Sequence, residues 1–400
     1  MSNQSAKPKH LPPIWLLILC SAIGPVAMTT PVPAVTEMMR DFATDYGSIQ
    51  LMLTAYLIAT GLAQLVLGAL SDQFGRRPVM LAGLIIFTLG SLLCALAESL
   101  EVLLIGRFIQ GVGGAAGLAL SRAIVRDVYG RSQTASIIGY VNMGMVIAPM
   151  IGPTIGGLMT DYLHWHFIFV AMAGMSMFLV VISHSHLNET LPDKTASKRP
   201  SLLTSAPLLL SDINFIAYTL NISFCAGMFY SFIAGAPYYV MEVLGVNASV
   251  YGMYSIFTAC GYMAGNYLSA RYSERNGPDK MLKLAFIPGG IGVALLWLGY
   301  NIEHPFALFL PMFFIAVSNG LTIPNGNAAA MSTHPELAGA AAGISGAVTI
   351  GVGAIMTIIM GFVQDGGRWP LPVIISGCCL MAYISLNLVR EAPRSELPPH

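Results

Sequence analysis

The sequence predicts an all-α integral membrane protein with twelve transmembrane helices, arranged as two bundles of six. Only 10% of its 400 residues are charged and 55% are hydrophobic, and its mean hydropathy is +0.70. Soluble domains carry about 25% charged residues, so this composition excludes a soluble fold. The formal net charge is +0, which gives no electrostatic reason to expect nucleic acid as a partner. The lipid bilayer is the expected environment of the chain.

Twelve apolar runs approach the roughly 20 residues that cross a bilayer as a helix, and we number them as spans 1 to 12. Spans 1 to 6 lie near 14–36, 50–70, 79–97, 102–125, 135–160 and 166–187. Spans 7 to 12 lie near 212–241, 250–271, 281–301, 305–330, 339–363 and 370–389. The polar segment between them has no apolar periodicity and predicts a flexible linker. The predicted regions are an N-terminal bundle, a cytoplasmic linker and a C-terminal bundle, at 1–187, 188–206 and 207–400.

The nineteen Lys and Arg residues indicate how the spans are oriented. With the N-terminus in the cytoplasm, sixteen fall on the cytoplasmic side, Arg40 and Arg368 fall on the other side, and Arg107 lies within span 4. Cytoplasmic loops of membrane proteins carry the excess of positive charge. Span 1 lacks a small-residue cleavage site and is expected to be a retained helix. We therefore predict a multi-pass membrane protein with both termini in the cytoplasm.

The sequence lacks the patterns typical of a cofactor, a metal centre or a nucleophile beside its base. Its six cysteines lie inside apolar runs without metal-ligand spacing, so they are expected to be small packing residues. We predict no cofactor, no metal site and no enzymatic activity. A membrane-embedded enzyme is the least favoured alternative.

The most distinctive segment is a short charged turn, 68–78, between spans 2 and 3. It reads Gly-Ala-Leu-Ser-Asp-Gln-Phe-Gly-Arg-Arg-Pro. Its pattern, Gly-x-Leu-x-Asp-x-x-Gly-Arg-Arg, resembles the signature loop between helices 2 and 3 of the major facilitator superfamily at every defining position. The resemblance implies the major facilitator fold, in which two six-helix halves rock about a site near the bilayer midplane.

The same resemblance implies a conformational latch. In proteins with this loop, the Asp contacts the N-terminus of helix 11 in the other half and holds the outward-facing state, with the Arg residues in the network. A helix N-terminus carries partial positive charge and stabilises a nearby anion, and span 11 is predicted to begin after 334–337. The alternative is a solvated turn. The latch candidates are Asp72, Gly75, Arg76 and Arg77.

Span 5 contains a second motif, rich in Gly and Pro. Each internal Pro removes a backbone hydrogen bond and Gly allows close helix approach, so this helix is expected to bend and to seal against a partner. The spacing resembles the motif of drug-exporting antiporters of the superfamily. Its residues are Gly144, Pro149, Gly152, Pro153, Gly156 and Gly157.

Span 4 carries Arg107, followed by Gln110 and Gly111. This run is similar to a superfamily motif whose Arg is tied to proton coupling. An Arg inside a span costs at least about 2.5 to 3.5 kcal/mol, so a partner must compensate it. The alternative is that Arg107 extends to the outer membrane surface.

Four further segments look like the bicyclomycin and chloramphenicol resistance transporters, a family of twelve-span drug:proton antiporters. They lie at 29–34, 122–127, 233–238 and 320–325, and the similarity covers about residues 14–390. Members of that family export small amphipathic compounds in exchange for protons. They usually have an Asp in the helix 1 motif, where this sequence has Thr29.

This difference removes the usual proton-coupling carboxylate. No Asp or Glu lies near the middle of a predicted span. Glu37 and Asp41 lie one or two turns beyond Thr29 and would substitute if span 1 extends outward, the alternative being solvated residues at a helix end. The coupling candidates are therefore Arg107, Glu37 and Asp41.

By analogy with the family, spans 1, 4, 7 and 10 are expected to line a cavity for a small-molecule substrate. Met and aromatic side chains offer adaptable apolar contacts, and a few amides would orient the substrate. The candidate wall residues are Met28, Thr29, Tyr56, Gln64, Gln110, Gly111, Tyr140, Asn142, Asn221, Phe224, Met228, Tyr230 and Asn319.

Together these features predict a secondary active transporter that exports small amphipathic compounds across the inner membrane by alternating access, in exchange for protons. The main alternative is an exporter of an endogenous, possibly anionic metabolite, with Arg107 as its counter-charge.

Overall fold

The computed structural model of the chain describes residues 11–129, 131–191, 202–364 and 367–390. Within these ranges, only the backbone is described for residues 131–136, 139, 142–150, 202–204 and 336. Within this part the regular elements are all helical. The α-helices are α1 (Ile14–Thr29), α2 (Val35–Asp41), α3 (Tyr46–Phe74), α4 (Arg76–Ala95), α5 (Leu100–Val128), α6 (Arg131–Tyr162), α7 (Trp165–His186), α8 (Leu202–Leu209), α9 (Ile213–Pro237), α10 (Ala248–Asn276), α11 (Pro278–Leu298), α12 (Phe306–Ser332), α13 (Ala338–Val363) and α14 (Pro370–Asn387). Short 3-10 turns at Val32–Ala34 and Pro335–Leu337 precede α2 and α13, and a π-helical segment, Tyr238–Val243, follows α9.

These helices confirm the predicted fold class. Span 1 corresponds to α1 and α2 together, spans 2 to 6 to α3 through α7, and spans 7 to 12 to α9 through α14. Ten of the described segments are long and apolar enough to cross a membrane. The exceptions are α6 and α10, which at 32 and 29 residues are still long enough. The short helix α8 lies partly in the segment predicted as a flexible linker, where the sequence shows no periodicity.

The helix boundaries follow from local chemistry. Pro31 and Pro33 have no backbone N–H, so α1 cannot continue past Thr29 and a 3-10 turn redirects the chain into α2. Asp45 starts α3 by accepting the backbone N–H of Ser48 at 2.9 Å, which is the usual role of an Asp before a helix.

The charged motif between spans 2 and 3 is more helical than predicted. Asp72 lies in the last turn of α3, and Arg76 is the first residue of α4. Only Gly75 breaks the helix, with a φ of 106° that favours glycine. The prediction of a turn over 68–78 was therefore too long, because a single residue in this conformation is enough to reverse the chain.

Two ends of the molecule are distinguished by their contacts. Because the long helices alternate in direction, the residues Asp41, Tyr46, Trp165 and Ala248 lie at one end, which we call the sealed end. The opposite end contains the junction of α3 with α4 and the start of α13 together with most of the basic residues, and we call it the basic end.

The hydrophobic core is divided between the two halves of the chain. One cluster is built almost wholly from α1 to α7, with Trp165, Phe87 and Phe169 among its buried side chains. A second cluster combines α9 to α14 with three residues of the first half, namely Val32, Leu53 and Leu57. A third, smaller cluster at the basic end contains residues of the second half alone.

The halves pack against each other mainly through α3 with α13 and α6 with α10. At the sealed end Tyr46 donates to the carbonyl of Ala234 at 2.5 Å, and the hydroxyls of Thr54 and Thr357 lie 2.8 Å apart. Farther from this end, a Cβ at Gly346 would still meet Gln64, at 3.5 Å. The polar contacts described between the halves lie toward the sealed end.

Candidate functional site

Arg107 is completely buried inside the first half. Its guanidinium donates to the carbonyl of Ala27 at 3.0 Å and to that of Met52 at 3.3 Å, and it also donates to the side-chain oxygen of Gln110. The guanidinium carbon lies 4.4 Å from the centre of the Tyr56 ring. Because π-faces attract cations, this ring joins the neutral oxygens in compensating the charge. The alternative that Arg107 reaches the membrane surface is thereby excluded in this conformation.

The Arg107 site contains no described acidic partner. Among the described residues, the ion pairs found elsewhere in the chain do not include Arg107, and its Nη2 has no hydrogen-bond partner. Gln110 is in turn fixed by donating to Ser91 at 2.8 Å, and Tyr56 donates to the carbonyl of Gly24 at 2.8 Å. The site is a hydrogen-bonded network of neutral acceptors around one cation, with both N–H groups of Nη2 unused.

The predicted cavity residues divide into distinct groups. Half-buried or exposed positions are Met28, Gln64, Tyr140, Phe224 and Tyr230. Buried positions are Thr29, Tyr56, Gln110, Gly111, Asn221, Met228 and Asn319. Within the second group, Tyr56, Gln110 and Gly111 pack inside the first half around Arg107. The side chain of Asn142 is outside the described part of the chain.

Two buried amides in the second half have free acceptors. Asn221 donates from its amide nitrogen to the carbonyl of Ala382 at 2.8 Å, which fixes its orientation. Its oxygen, like that of Asn319, is buried and has no partner among the described residues. A buried acceptor without a donor costs about 1 to 3 kcal/mol, so both oxygens would gain from a group that donates to them.

The described glycines of the span 5 motif lie in close contact with two neighbouring helices. A Cβ at Gly156 would overlap the carbonyl oxygen of Thr30, and one at Gly152 would lie 3.0 Å from the hydroxyl of that residue. A Cβ at Gly157 would lie 2.6 Å from the carbonyl carbon of Ala248 in the other half. For Gly144 and Pro149, only the backbone belongs to the described part of the chain. This face of α6 thus contacts α1 on one side and α10 on the other.

The charged motif forms a network within the first half. Arg76 pairs with Asp72 at 2.6 Å and with Asp127 of α5 at 2.8 Å. Glu189, just after α7, accepts the backbone N–H of Arg76 at 2.8 Å and that of Arg77 at 3.3 Å. Glu189 therefore caps the N-terminus of α4, a role that the sequence did not suggest. Among the described residues, Asp72 contacts Arg76 of its own half, and no contact with the N-terminus of α13 is found.

At the sealed end the structure brings together two of the coupling candidates and a histidine. The Nε2 atom of His164 lies 3.2 Å from a carboxylate oxygen of Glu37 and 3.3 Å from one of Asp41. Trp165 donates its indole N–H to Asp41 at 2.6 Å. His166 and His164 approach through their Nδ1 atoms at 2.7 Å. The ligand atoms of Glu37, Asp41 and His164 lie within 4.8 Å of one another, as atoms around a metal ion would, whereas the sequence predicted no metal site.

Comparison with known proteins places these features in a family. Residues 17–358 match the sequence profile of the Major Facilitator Superfamily. The chain belongs to this superfamily. This confirms the resemblance inferred from the charged motif.

Several curated superfamily members are similar over most of their length. The chain is 28% identical to multidrug resistance protein D of Escherichia coli, over 88% of this chain and 89% of that protein. It is 25% identical to a bicyclomycin resistance protein homolog of Haemophilus influenzae, over 93% and 94%. It is 29% identical to a chloramphenicol resistance protein of Pseudomonas aeruginosa, over 94% and 89%.

Solved structures of superfamily transporters share the fold. A bacterial homolog of the human lysosomal transporter Spinster, in an inward-facing and occupied conformation, aligns with a TM-score of 0.73 at 14% identity, covering 94% of this chain and 95% of that one. The xylose transporter XylE from E. coli, in a partially occluded inward-open conformation, aligns with a TM-score of 0.69 at 11% identity, over 93% and 97%.

Proposed function

We propose that this superfamily member exports small amphipathic compounds from the cytoplasm in exchange for protons. The observation that carries the proposal is the arrangement of its two halves, whose described polar contacts with each other lie toward the sealed end. A transporter that alternates between such a state and its reverse exposes one site to each side of the membrane in turn.

The proposal places the basic end in the cytoplasm. Arg76, Arg77, Arg126, Lys280 and Arg390 all lie at that end, and basic residues collect on the cytoplasmic side of inner-membrane proteins. Both termini would then be cytoplasmic, with the halves at 1–187 and 207–400 and the linker at 188–206 on the same side. In these terms the sealed end would face the outer side of the membrane.

The substrate class is inferred from relatives and from the residues that are predicted to line the cavity. Proteins named for resistance to bicyclomycin, chloramphenicol and multiple drugs match this chain over most of their length. Half-buried Met28, Phe224 and Tyr230 offer adaptable apolar surface. The free amide oxygens of Asn221 and Asn319 favour a ligand that carries O–H or N–H donors.

Proton exchange is assigned to the cluster of Glu37, Asp41 and His164. Arg107 cannot carry the proton, since a guanidinium keeps its charge at physiological pH. The cluster contains three titratable groups at hydrogen-bonding distance, and one buried oxygen of Glu37 has no partner among the described residues. Its neighbour Arg40 pairs with Glu242 of the other half at 2.6 Å, so a change of charge on α2 acts next to a contact between the halves.

The anionic-metabolite alternative has less support. It requires Arg107 to meet the substrate, whereas Arg107 is 0% exposed and its guanidinium is occupied by Ala27, Met52 and Gln110. A counter-charge for an anion would need to face the path of the substrate. Arg107 is better explained as a fixed charge that orders the first half.

Transport by purified protein in proteoliposomes tests the proposal. With an acidic lumen, chloramphenicol and bicyclomycin should accumulate inside the vesicles, and an ionophore that collapses the pH gradient should abolish accumulation. A set of organic anions of similar size provides the comparison. Equal movement with and without the gradient would contradict proton exchange. Movement of the anions alone would instead support the metabolite exporter.

A further inference from the structure

The N-terminus of α10 is capped by a residue from the other half of the protein. Asp161, in the last turn of α6, accepts the backbone N–H of Ser249 at 2.8 Å. Ser249 is the second residue of α10, where helix N–H groups have no partner within the helix. Asn247, which precedes α10, makes no capping hydrogen bond with its side chain. The cap that α10 lacks in its own sequence is therefore supplied by α6.

Close backbone packing holds Asp161 in this place. A Cβ at Gly252 would lie 2.5 Å from the carbonyl oxygen of Pro153, and Thr154 donates to the carbonyl of Gly252 at 2.9 Å. Gly157, one turn before Asp161 on the same face of α6, lies against Ala248. The side chain of Asp161 thus extends from a contact face that leads directly onto the N-terminus of α10.

The cap differs from the ion pair between the halves at this end. Arg40 pairs with Glu242, but the side chain of Arg40 is 67% exposed, and ion pairs of this kind contribute little. Asp161 is also exposed, but it combines a hydrogen bond to an N–H group that would otherwise lack a partner with a negative charge at the positive end of a 29-residue helix. The cap therefore holds the sealed end by a helix-terminus contact that the ion pair does not provide.

We infer that Asp161 latches the sealed end by capping α10, as Asp72 is proposed to latch the basic end by capping α13. The geometry of the two sites corresponds: α3 ends at the basic end, where α13 begins, and α6 ends at the sealed end, where α10 begins. These helix pairs are also the main contacts between the halves. The inference rests on the proposed alternating access, and it makes Asp161 a positioning residue that sets which side is open without touching the substrate.

Distance measurements between the halves test this latch. Spin labels at Glu98 and Asn301, exposed turn residues of the two halves at the sealed end, report its opening in the full-length protein. Cys260, the exposed one of the six cysteines, is replaced by Ser. Asp161→Ala should raise the ratio of molecules open at this end to molecules closed by roughly three- to tenfold. Asp161→Asn keeps an acceptor oxygen without the charge and should raise the ratio less.

Asp45 provides a matched control. It is also an acidic helix cap at the sealed end, but it caps α3 within its own half, and the side-chain and backbone hydrogen bonds from Ser48 lower the pKa of its carboxyl group. Asp45→Ala should leave the ratio unchanged. Unaltered distances in both Asp161 variants, or an equal shift in Asp45→Ala, would overturn the latch. The distances are measured without substrate and so do not depend on transport. If the Asp161 variants shift the distances but the protein exports no drug, the proposed function is refuted and the latch is not.

Discussion

Adding one methyl group between the halves should open the sealed end. Gly252 of α10 faces α6, and a Cβ there would lie 2.5 Å from the oxygen of Pro153 and 2.7 Å from the Cα of Thr154. Ordinary contacts begin at 3.4 Å, so in Gly252→Ala the two helices must separate by about 1 Å. Both neighbours are backbone atoms of a helix and cannot move aside singly.

The size of the effect follows from where the overlap occurs. Overpacking of this kind costs about 1 to 3 kcal/mol, and here the cost falls only on the state in which α6 and α10 touch. The higher helix propensity of Ala, worth about 1 kcal/mol, acts in both states and cancels. Gly252→Ala should therefore raise the ratio of open to closed sealed ends by about 5- to 150-fold.

Two other glycines serve as controls. Gly320 meets the same 2.5 Å overlap, with the carbonyl of Tyr262, but inside the second half. Gly320→Ala should lower the melting temperature of the purified protein without changing the label distances at the sealed end. Gly290 has nothing within 4 Å of its Cβ position, and Gly290→Ala should leave the label distances unchanged without lowering the melting temperature. Unchanged distances in Gly252→Ala, measured with the same label pair, would refute this account of the seal.

Three further predictions concern charge. Asp72→Asn should raise the population open at the basic end by up to about fivefold, since a charge at a helix N-terminus contributes about 0.3 to 1 kcal/mol; unchanged distances between labels at that end would remove the basic-end latch. Arg107→Ala should abolish drug efflux. Arg107→Lys should also lack efflux, because an ammonium group does not have the planar fork that reaches several acceptors. Efflux by the Lys variant would show that only the charge matters. Glu37→Gln should flatten the dependence of initial efflux rates on pH between about 6 and 8, and Thr29→Asp should alter that dependence. Glu98→Gln is the control and should leave the pH dependence unchanged. Identical pH profiles in the three variants would place the coupling site elsewhere.

The fold was predictable because hydropathy reports burial in lipid. Each of the twelve runs became helical, the first as α1 and α2 together, and the charged motif located the junction of α3 with α4. Hydropathy does not locate the ends of helices, because a residue can be polar and still be helical. It missed that Asp72 is still helical and that Gly75 alone makes the turn, and it gave no indication of α8.

The surroundings of the charged residues were less predictable, for a physical reason. Arg107 is compensated by the carbonyls of Ala27 and Met52, and Asp161 binds the N–H of Ser249. Every residue offers these backbone groups, so no side-chain pattern marks such partners. The cluster of Asp41 with His164 was missed because two helix ends distant in the sequence meet only in the folded chain. The prediction that Arg107 needs a partner was sound, while the partner's identity depended on the fold.

The setting of Arg107 has a consequence for how membrane voltage acts on the protein. Its contacts come from α1, α3 and α5, with the Phe169 ring of α7 5.9 Å away, so all of them belong to one half. When the halves rock, this charge moves with its own half and crosses little of the electric field. A charge that crosses the whole field contributes about 2.3 kcal/mol per 100 mV. The buried guanidinium should therefore be close to electrically silent, although it carries a full charge inside the membrane.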